Sequence, residues 1–271
     1  MTRGRPRWSI QGRLAVRSDH PVGSRRATTS DPVPSRQVPR VTREAAIGVL
    51  CLETTLPTIP GHIRDPDTFP FPVMYGTVPG ATPDRLVTGA DPRLLDPFVA
   101  AARKLEADGA AAITGACGFL VLFQERLTAA VGVPLYASGL IQLPMIHRML
   151  RPDRKVGLLV ADRKALTRRH LAAIDGEGVP VCVAGMAEQP EFREVLLEGR
   201  RGELDVARLE GEVVGQVERL ARDNPDLGAL LIECADLAPF AAAVQARVGL
   251  PVFDVVTLTR MVHATLTRHP R

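Results

Sequence analysis

Two cysteines offer the chemistry most open to this chain. Cys117 lies in TGACGFL and Cys234 in IECADLAPF, each at the end of an apolar run and each followed at once by helical sequence. A thiol with an ordinary pKa of about 8.5 is roughly a few per cent thiolate at neutral pH, and that fraction rises at the positive end of a helix. The unpaired N–H groups there also form a cradle for a carboxylate or enolate oxygen. One thiolate and one thiol on opposite faces of a carbon acid can take a proton from one side and return one to the other, which inverts the centre. That reaction needs neither a metal nor a pyridoxal cofactor. The sequence holds no motif for either, so the expectation is none of both.

The spacing of the pair carries more than either cysteine alone. At an offset of 117 residues, AAITGACGFLVLFQERLTAAVGVPLY lies over GALLIECADLAPFAAAVQARVGLPVF without a gap. Cys117 then falls on Cys234, Phe123 on Phe240, Gly132 on Gly249 and Pro134 on Pro251. With one residue of slippage MIHRML meets MVHATL, placing His147 over His263, and an offset of 109 brings IGVL near VGLL. Strand-turn-helix units match one another easily in hydrophobicity, but two cysteines and two Gly-x-Pro turns do not coincide by patterning alone. We read an internal duplication: two lobes related by a pseudo-two-fold, whose equivalent strand ends face each other across one cleft.

The elements that must hold the pair alternate along the chain. AAIGVLCL, AAAIT, VPLYA, KVGLLVA, VPVCVAG, GALLIE and LPVFDV read as strands. Helical patterns such as AAARKLEADG, ALTRRHLAAI and LEGEVVGQVERLA lie between them. This alternation predicts an α/β fold of two pseudo-symmetric doubly wound lobes with mainly parallel sheets and an inter-lobe cleft, ligands sitting at strand ends. The expected divisions are a disordered basic extension over 1–43, a first lobe over 44–150 joined by a C-terminal helix over 256–271, and a second lobe over 151–255. A Pro/Gly-rich loop from about 53 to 92 is too long for a simple connector and reads as a stiff wall or lid over the cleft, with Gly76 and Gly80 as candidate hinges.

Composition removes several function classes. The net charge of +4 comes from ten arginines against two aspartates in residues 1–43, leaving −4 for the remainder. With few aromatics and no basic patch interleaved with them, a nucleic-acid partner is not expected. No run reaches the roughly 18 apolar residues of a membrane span, and the start lacks a secretory apolar stretch, so a cytoplasmic protein with no membrane partner is expected. The four cysteines form no CxxC pair and no Cys/His cluster at metal spacing. Cys51 and Cys182, inside apolar strands, read as core residues.

On these residues the chain resembles the aspartate/glutamate/hydantoin racemase superfamily over roughly 45–268, through IGVL, ITGACGF, LIECADLAPF and GLPVFDV. The resemblance implies a cofactor-independent, cytoplasmic, homodimeric isomerase that acts on a small molecule, with Cys117 and Cys234 as acid and base. The implied reaction is racemisation or epimerisation of a carbon α to a carbonyl in an amino acid or hydantoin-like substrate. Alternatives are a decarboxylase or maleate-type cis-trans isomerase of the same superfamily, or a non-catalytic two-lobed binder. The Asn-Thr and Thr that follow the cysteines in amino-acid racemases are replaced by Gly118-Phe119 and Ala235-Asp236, nearer the hydantoin racemase pattern. The polar stretch after the first strand reads Glu53-Thr54-Thr55, so Thr54, Thr55, Gly118, Phe119, Ala235 and Asp236 are the expected substrate-binding residues. Asp236 either occupies a first helical turn or faces Cys234 and keeps it protonated. His147 and His263 read as packing residues or supports for the cysteines.

Overall fold

A computed structural model describes residues 45–88 and 91–267. The stretch 1–43, read above as disordered, lies outside the described residues, and so do residues 268–271 of the expected C-terminal helix. In chain order the elements are β1 (Ile47–Leu52), β2 (Val73–Val78), α1 (Leu95–Ala107), β3 (Ala112–Gly115), α2 (Gln124–Ala130), β4 (Leu135–Tyr136) and α3 (Leu143–Met149). Then come β5 (Lys155–Val160), α4 (Arg168–Ala172), β6 (Val181–Gly185), α5 (Val206–Asp223), β7 (Leu227–Ile232), α6 (Ala241–Val248), β8 (Val252–Phe253) and α7 (Val255–Leu266).

The strands form two parallel sheets of identical topology, β2-β1-β3-β4 and β6-β5-β7-β8. This is the duplication in three dimensions: β1 corresponds to β5, and β3 to β7. The central strands are continuous apolar runs because helices cover them. In β1 five of six residues are buried, a pattern that an open sheet face does not allow. On α5, Leu209, Val213 and Val217 recur every four residues and are all buried, and Asp205 caps the helix by accepting from the Arg208 N–H at 3.0 Å. Gly249 closes α6 in the left-handed conformation at φ 66°, where a side chain would be strained.

One strand was not expected. β2 lies inside the Pro/Gly-rich stretch read as a loop, paired with β1 from Ile47↔Val73 to Leu52↔Val78. Pro70 and Pro72 precede it and Gly76 interrupts it, features an edge strand tolerates because one side of its ladder is unpaired. Gly76 is therefore held in a ladder rather than free as a hinge, and Gly80 sits in a turn at φ 73°.

The two halves exchange helices. Leu143 and Ile146 of α3 pack with Val156, Leu158, Ala229 and Leu231, so the helix that ends the first half covers the second sheet. Leu258 of α7 packs with Ile47, Ala112 and Tyr136, so the last helix returns to cover the first sheet. At the crossing, the Gln142 side chain donates to the Asp254 carbonyl at 3.0 Å. Asp254 starts α7 with a capping box, accepting from the Thr257 N–H at 2.7 Å while its own N–H donates to Thr257 Oγ1 at 3.0 Å.

Candidate active site

In a 2-1-3-4 sheet the chain turns to opposite sides after β1 and β3, and a crevice opens beyond their C-terminal ends. Cys117 lies two residues past β3, and Cys234 two residues past β7. Both open into one small cavity of about 50 Å³ between the halves, together with Thr54, Arg64, Phe119, Glu233, Ala235 and Asp236. Leu56, Arg64, Pro83 and Val87 come from the long loop segments, which form the cavity's outer wall.

After each cysteine the backbone forms a 3-10 turn, Gly118–Phe123 and Ala235–Phe240, before α2 and α6 begin. The helix start read directly after each cysteine is thus a tighter turn, in which the Leu120 N–H donates to the Cys117 carbonyl at 3.1 Å and the Leu237 N–H to the Cys234 carbonyl at 3.1 Å. Burial and then Glu233 raise the Cys117 pKa, with Asp236 adding to the rise, while the nearby Phe119 and Leu120 N–H groups oppose it. Cys234 differs. Its thiol donates to Asp236 Oδ2 at 3.7 Å, and its pKa is driven well up by burial, then by Asp236, Glu233 and Cys117. Both thiols are therefore held protonated at neutral pH, Cys234 with its proton directed at Asp236.

Asp236 does face Cys234. His62 Nε2 lies 3.0 Å from Asp236 Oδ1, off the line of its N–H, and the Arg64 guanidinium lies 4.0 Å from the same oxygen. The Arg64 backbone N–H donates to His62 Nδ1 at 2.9 Å, so Nδ1 is the acceptor and the ring proton sits on Nε2, toward Asp236. Burial pushes the Asp236 carboxyl up, but His62, Arg64 and the Cys234 thiol outweigh it and hold the group below the ordinary carboxylate range.

Glu233 is buried beside both cysteines. Its Oε2 accepts from the Ala161 N–H at 3.3 Å, and burial, with Asp236 adding to it, raises its pKa to about 8. Gly118 explains how the carboxyl fits: a Cβ on Gly118 would collide with Glu233 Oε1. Gly118 thus backs the site as a space for Glu233 and does not line the cavity.

The other expected site residues divide. Phe119 and Ala235 line the cavity, as does Thr54, whose hydroxyl accepts from the Leu56 N–H at 3.0 Å. Thr55 is exposed and away from the cavity, because it follows the turn that Thr54 closes. Glu53 points outward and accepts from the Gly80 N–H at 2.8 Å. His263 stacks on Phe71 with ring centroids 3.6 Å apart, and His147 sits on α3 with its Nδ1 buried; neither reaches the cysteines' cavity. Cys51 is buried in β1, its pKa raised to about 11 by burial despite Arg64, and Cys182 lies in β6. Among the described residues no group of three or more His, Cys, Asp or Glu side chains is placed to hold a metal, and no helix is long and apolar enough to cross a membrane.

Three site residues escaped the sequence reading. Glu233 had a signal, a carboxylate that prolongs the buried run GALLI and immediately precedes a cysteine. His62 and Arg64 had none beyond His-x-Arg in a loop, since nothing local shows that the loop folds back over β7.

No protein-family model matches the chain. Among curated proteins it is 29% identical over 222 residues to a dimethylsulfoniopropionate lyase of Durusdinium, covering 79% of this chain and 72% of that protein. It is 31% identical over 237 residues to dimethylsulfoniopropionate lyase 7 of Emiliania huxleyi, covering 83% and 68%, and 30% identical over 240 residues to lyase 3 of the same organism, covering 83% and 61%. The chain thus spans less than two thirds of lyase 3. Among solved structures, unliganded arylmalonate decarboxylase matches at a TM-score of 0.53 and 17% identity, over 84% of this chain and 94% of that one. An aspartate racemase homologue from Pyrococcus horikoshii matches at 0.53 and 18%, over 83% and 100%. These likenesses show the Asp/Glu racemase-like fold. The curated relatives are enzymes named as lyases, and they overturn the expected isomerase. The racemase or epimerase reading is corrected on that ground, together with its decarboxylase, cis-trans isomerase and non-catalytic alternatives.

Proposed function

Because the chain belongs to the dimethylsulfoniopropionate lyase family, we propose that it is a lyase that eliminates dimethyl sulfide from dimethylsulfoniopropionate and leaves acrylate. The substrate is a propionate whose β-carbon bears a dimethylsulfonium group. Cys117 as thiolate takes a proton from the α-carbon, that electron pair forms the carbon–carbon double bond, and the carbon–sulfur pair departs with the neutral sulfide. The Cys117 proton then passes to solvent. An elimination of this kind needs one base rather than two, which agrees with the unequal environments of the thiols.

The observation that carries this reading is the joint placement of the Cys117 thiol and a mostly buried arginine, Arg64, in one cavity. Arg64 is the natural partner for the substrate carboxylate, where negative charge grows as the α-proton leaves. Positive charge on the substrate also lowers the cost of the Cys117 thiolate, so substrate binding activates the base. The test is direct: the purified protein is incubated with dimethylsulfoniopropionate, dimethyl sulfide is measured in the headspace and acrylate by NMR. Equal amounts of both are expected; absence of both from folded protein sinks the proposal. Cytoplasmic location and a homodimer belong to this reading, the latter tested by light scattering.

A further inference from the structure

The lyase reading uses Cys117 and Arg64 and leaves one buried acid in the cavity without a task. Glu233 lines the cavity wall next to Cys234, is 1% exposed, and spends only its Oε2 on the protein, on the Ala161 N–H. Its Oε1 lies against the bare Cα of Gly118, the position where any side chain would displace it. Asp236, the other acid of the cavity, is already engaged by His62, Arg64 and the Cys234 thiol. A buried carboxyl with an unengaged oxygen is costly to maintain as an anion unless a cation comes to it.

Resting on the lyase reading for the identity of the site, we propose that Glu233 is the counter-ion that selects substrates with a positively charged onium group at one end and a carboxylate at the other, Arg64 taking the carboxylate. The cavity then matches a zwitterion with one fixed charge of each sign. The empty site avoids an unpaired buried anion because burial keeps Glu233 largely protonated near neutral pH. As the onium enters, the carboxyl proton leaves to solvent, and the ligand's charge replaces it. Selection falls on the charge itself, because a neutral group of the same shape leaves Glu233 protonated and gains nothing from it.

Calorimetric titration with two ligands of matched shape tests this: 3-(trimethylammonio)propionate, which carries the onium, and 4,4-dimethylpentanoate, which does not. The wild type is expected to bind the ammonium compound about tenfold or more tightly than the neutral one. Its binding heat is also expected to change with the ionisation enthalpy of the buffer, the sign of a released proton. In Glu233→Gln the preference and the buffer dependence both vanish, while 4,4-dimethylpentanoate binds as before, which also shows that the pocket is intact. A preference that survives in the variant, no preference in the wild type, binding of neither ligand, or equal loss of both ligands in the variant each overturns the inference. Dimethyl sulfide release decides the lyase reading separately: release without a Glu233-dependent preference sinks only this inference, and the preference without release sinks only the reaction.

Discussion

The two thiols occupy equivalent positions and meet different neighbours, and that asymmetry has measurable consequences. Cys234 gives its proton toward Asp236, whereas the residue equivalent to Asp236 beside Cys117 is Phe119. Cys117→Ser is expected to lower kcat of dimethyl sulfide release by about 10²–10⁴-fold, the usual contribution of a positioned base. Cys234→Ser is expected to cost only about tenfold, the worth of one hydrogen bond. Equal losses would show that both thiols move protons. Burial raises the Cys117 pKa, so the thiolate is the minor form at neutral pH and its share grows tenfold with each pH unit. The profile of kcat/KM should therefore climb from neutral into alkaline pH; a flat profile would exclude a thiolate base.

The 3-10 turns and the helix caps fix where those thiols stand. Gly118 opens the first turn at the only width that admits the Glu233 carboxyl, and Asp254 opens α7 with its capping box. Asp254→Ala removes that cap and should cost about 1 kcal/mol, read as a lower midpoint in denaturant unfolding. In the sequence Gly118 stood only as an expected substrate-binding position, and Asp254 only inside the strand pattern LPVFDV. That Gly118 makes room for a side chain from the other half was not readable there, since Glu233 is 115 residues away. β2 was missed for a related reason: its pattern is weak in itself, and its pairing with β1 supplies the order that local propensity lacks.

Exchange of α3 and α7 makes the two sheets one folding unit. Each sheet owes a covered face to the other half of the chain, so neither half buries its own core alone. Leu258→Ala, at the contact of α7 with the first sheet, should destabilise the protein by about 2–5 kcal/mol. It should do so in a single transition that amides of β5 and β7 share in hydrogen exchange; separate transitions would show independent lobes. The molecule also has a pH signature. The folded-state pKa of Glu233, about 8, lies above its ordinary value of 4.5, so the folded state binds this proton more tightly. Its contribution is full below pH 4.5 and is lost as pH rises toward 8. Glu233→Gln should flatten stability against pH across that window, as followed by thermal melting; an unchanged slope would place the titration elsewhere.

Local patterning carried the parallel α/β class, the strands β1, β3, β5, β6 and β7, the duplication and the paired cysteines, because apolar runs, turn residues and a repeat at 117 residues are properties of neighbours along the chain. It also placed Phe119, Ala235, Thr54 and Asp236 near the cysteines, and misplaced Thr55. The helix exchange, the reach of His62 and Arg64 over Asp236, and the seat of Glu233 against Gly118 depend on contacts between residues far apart in sequence. A repeat predicts symmetry, so the sequence pointed to two equivalent thiols and a two-base reaction. The folded site breaks that symmetry by directing the Cys234 thiol at the Asp236 carboxylate, whose counterpart 117 positions earlier is Phe119, so the two sulfurs meet different partners in one buried site.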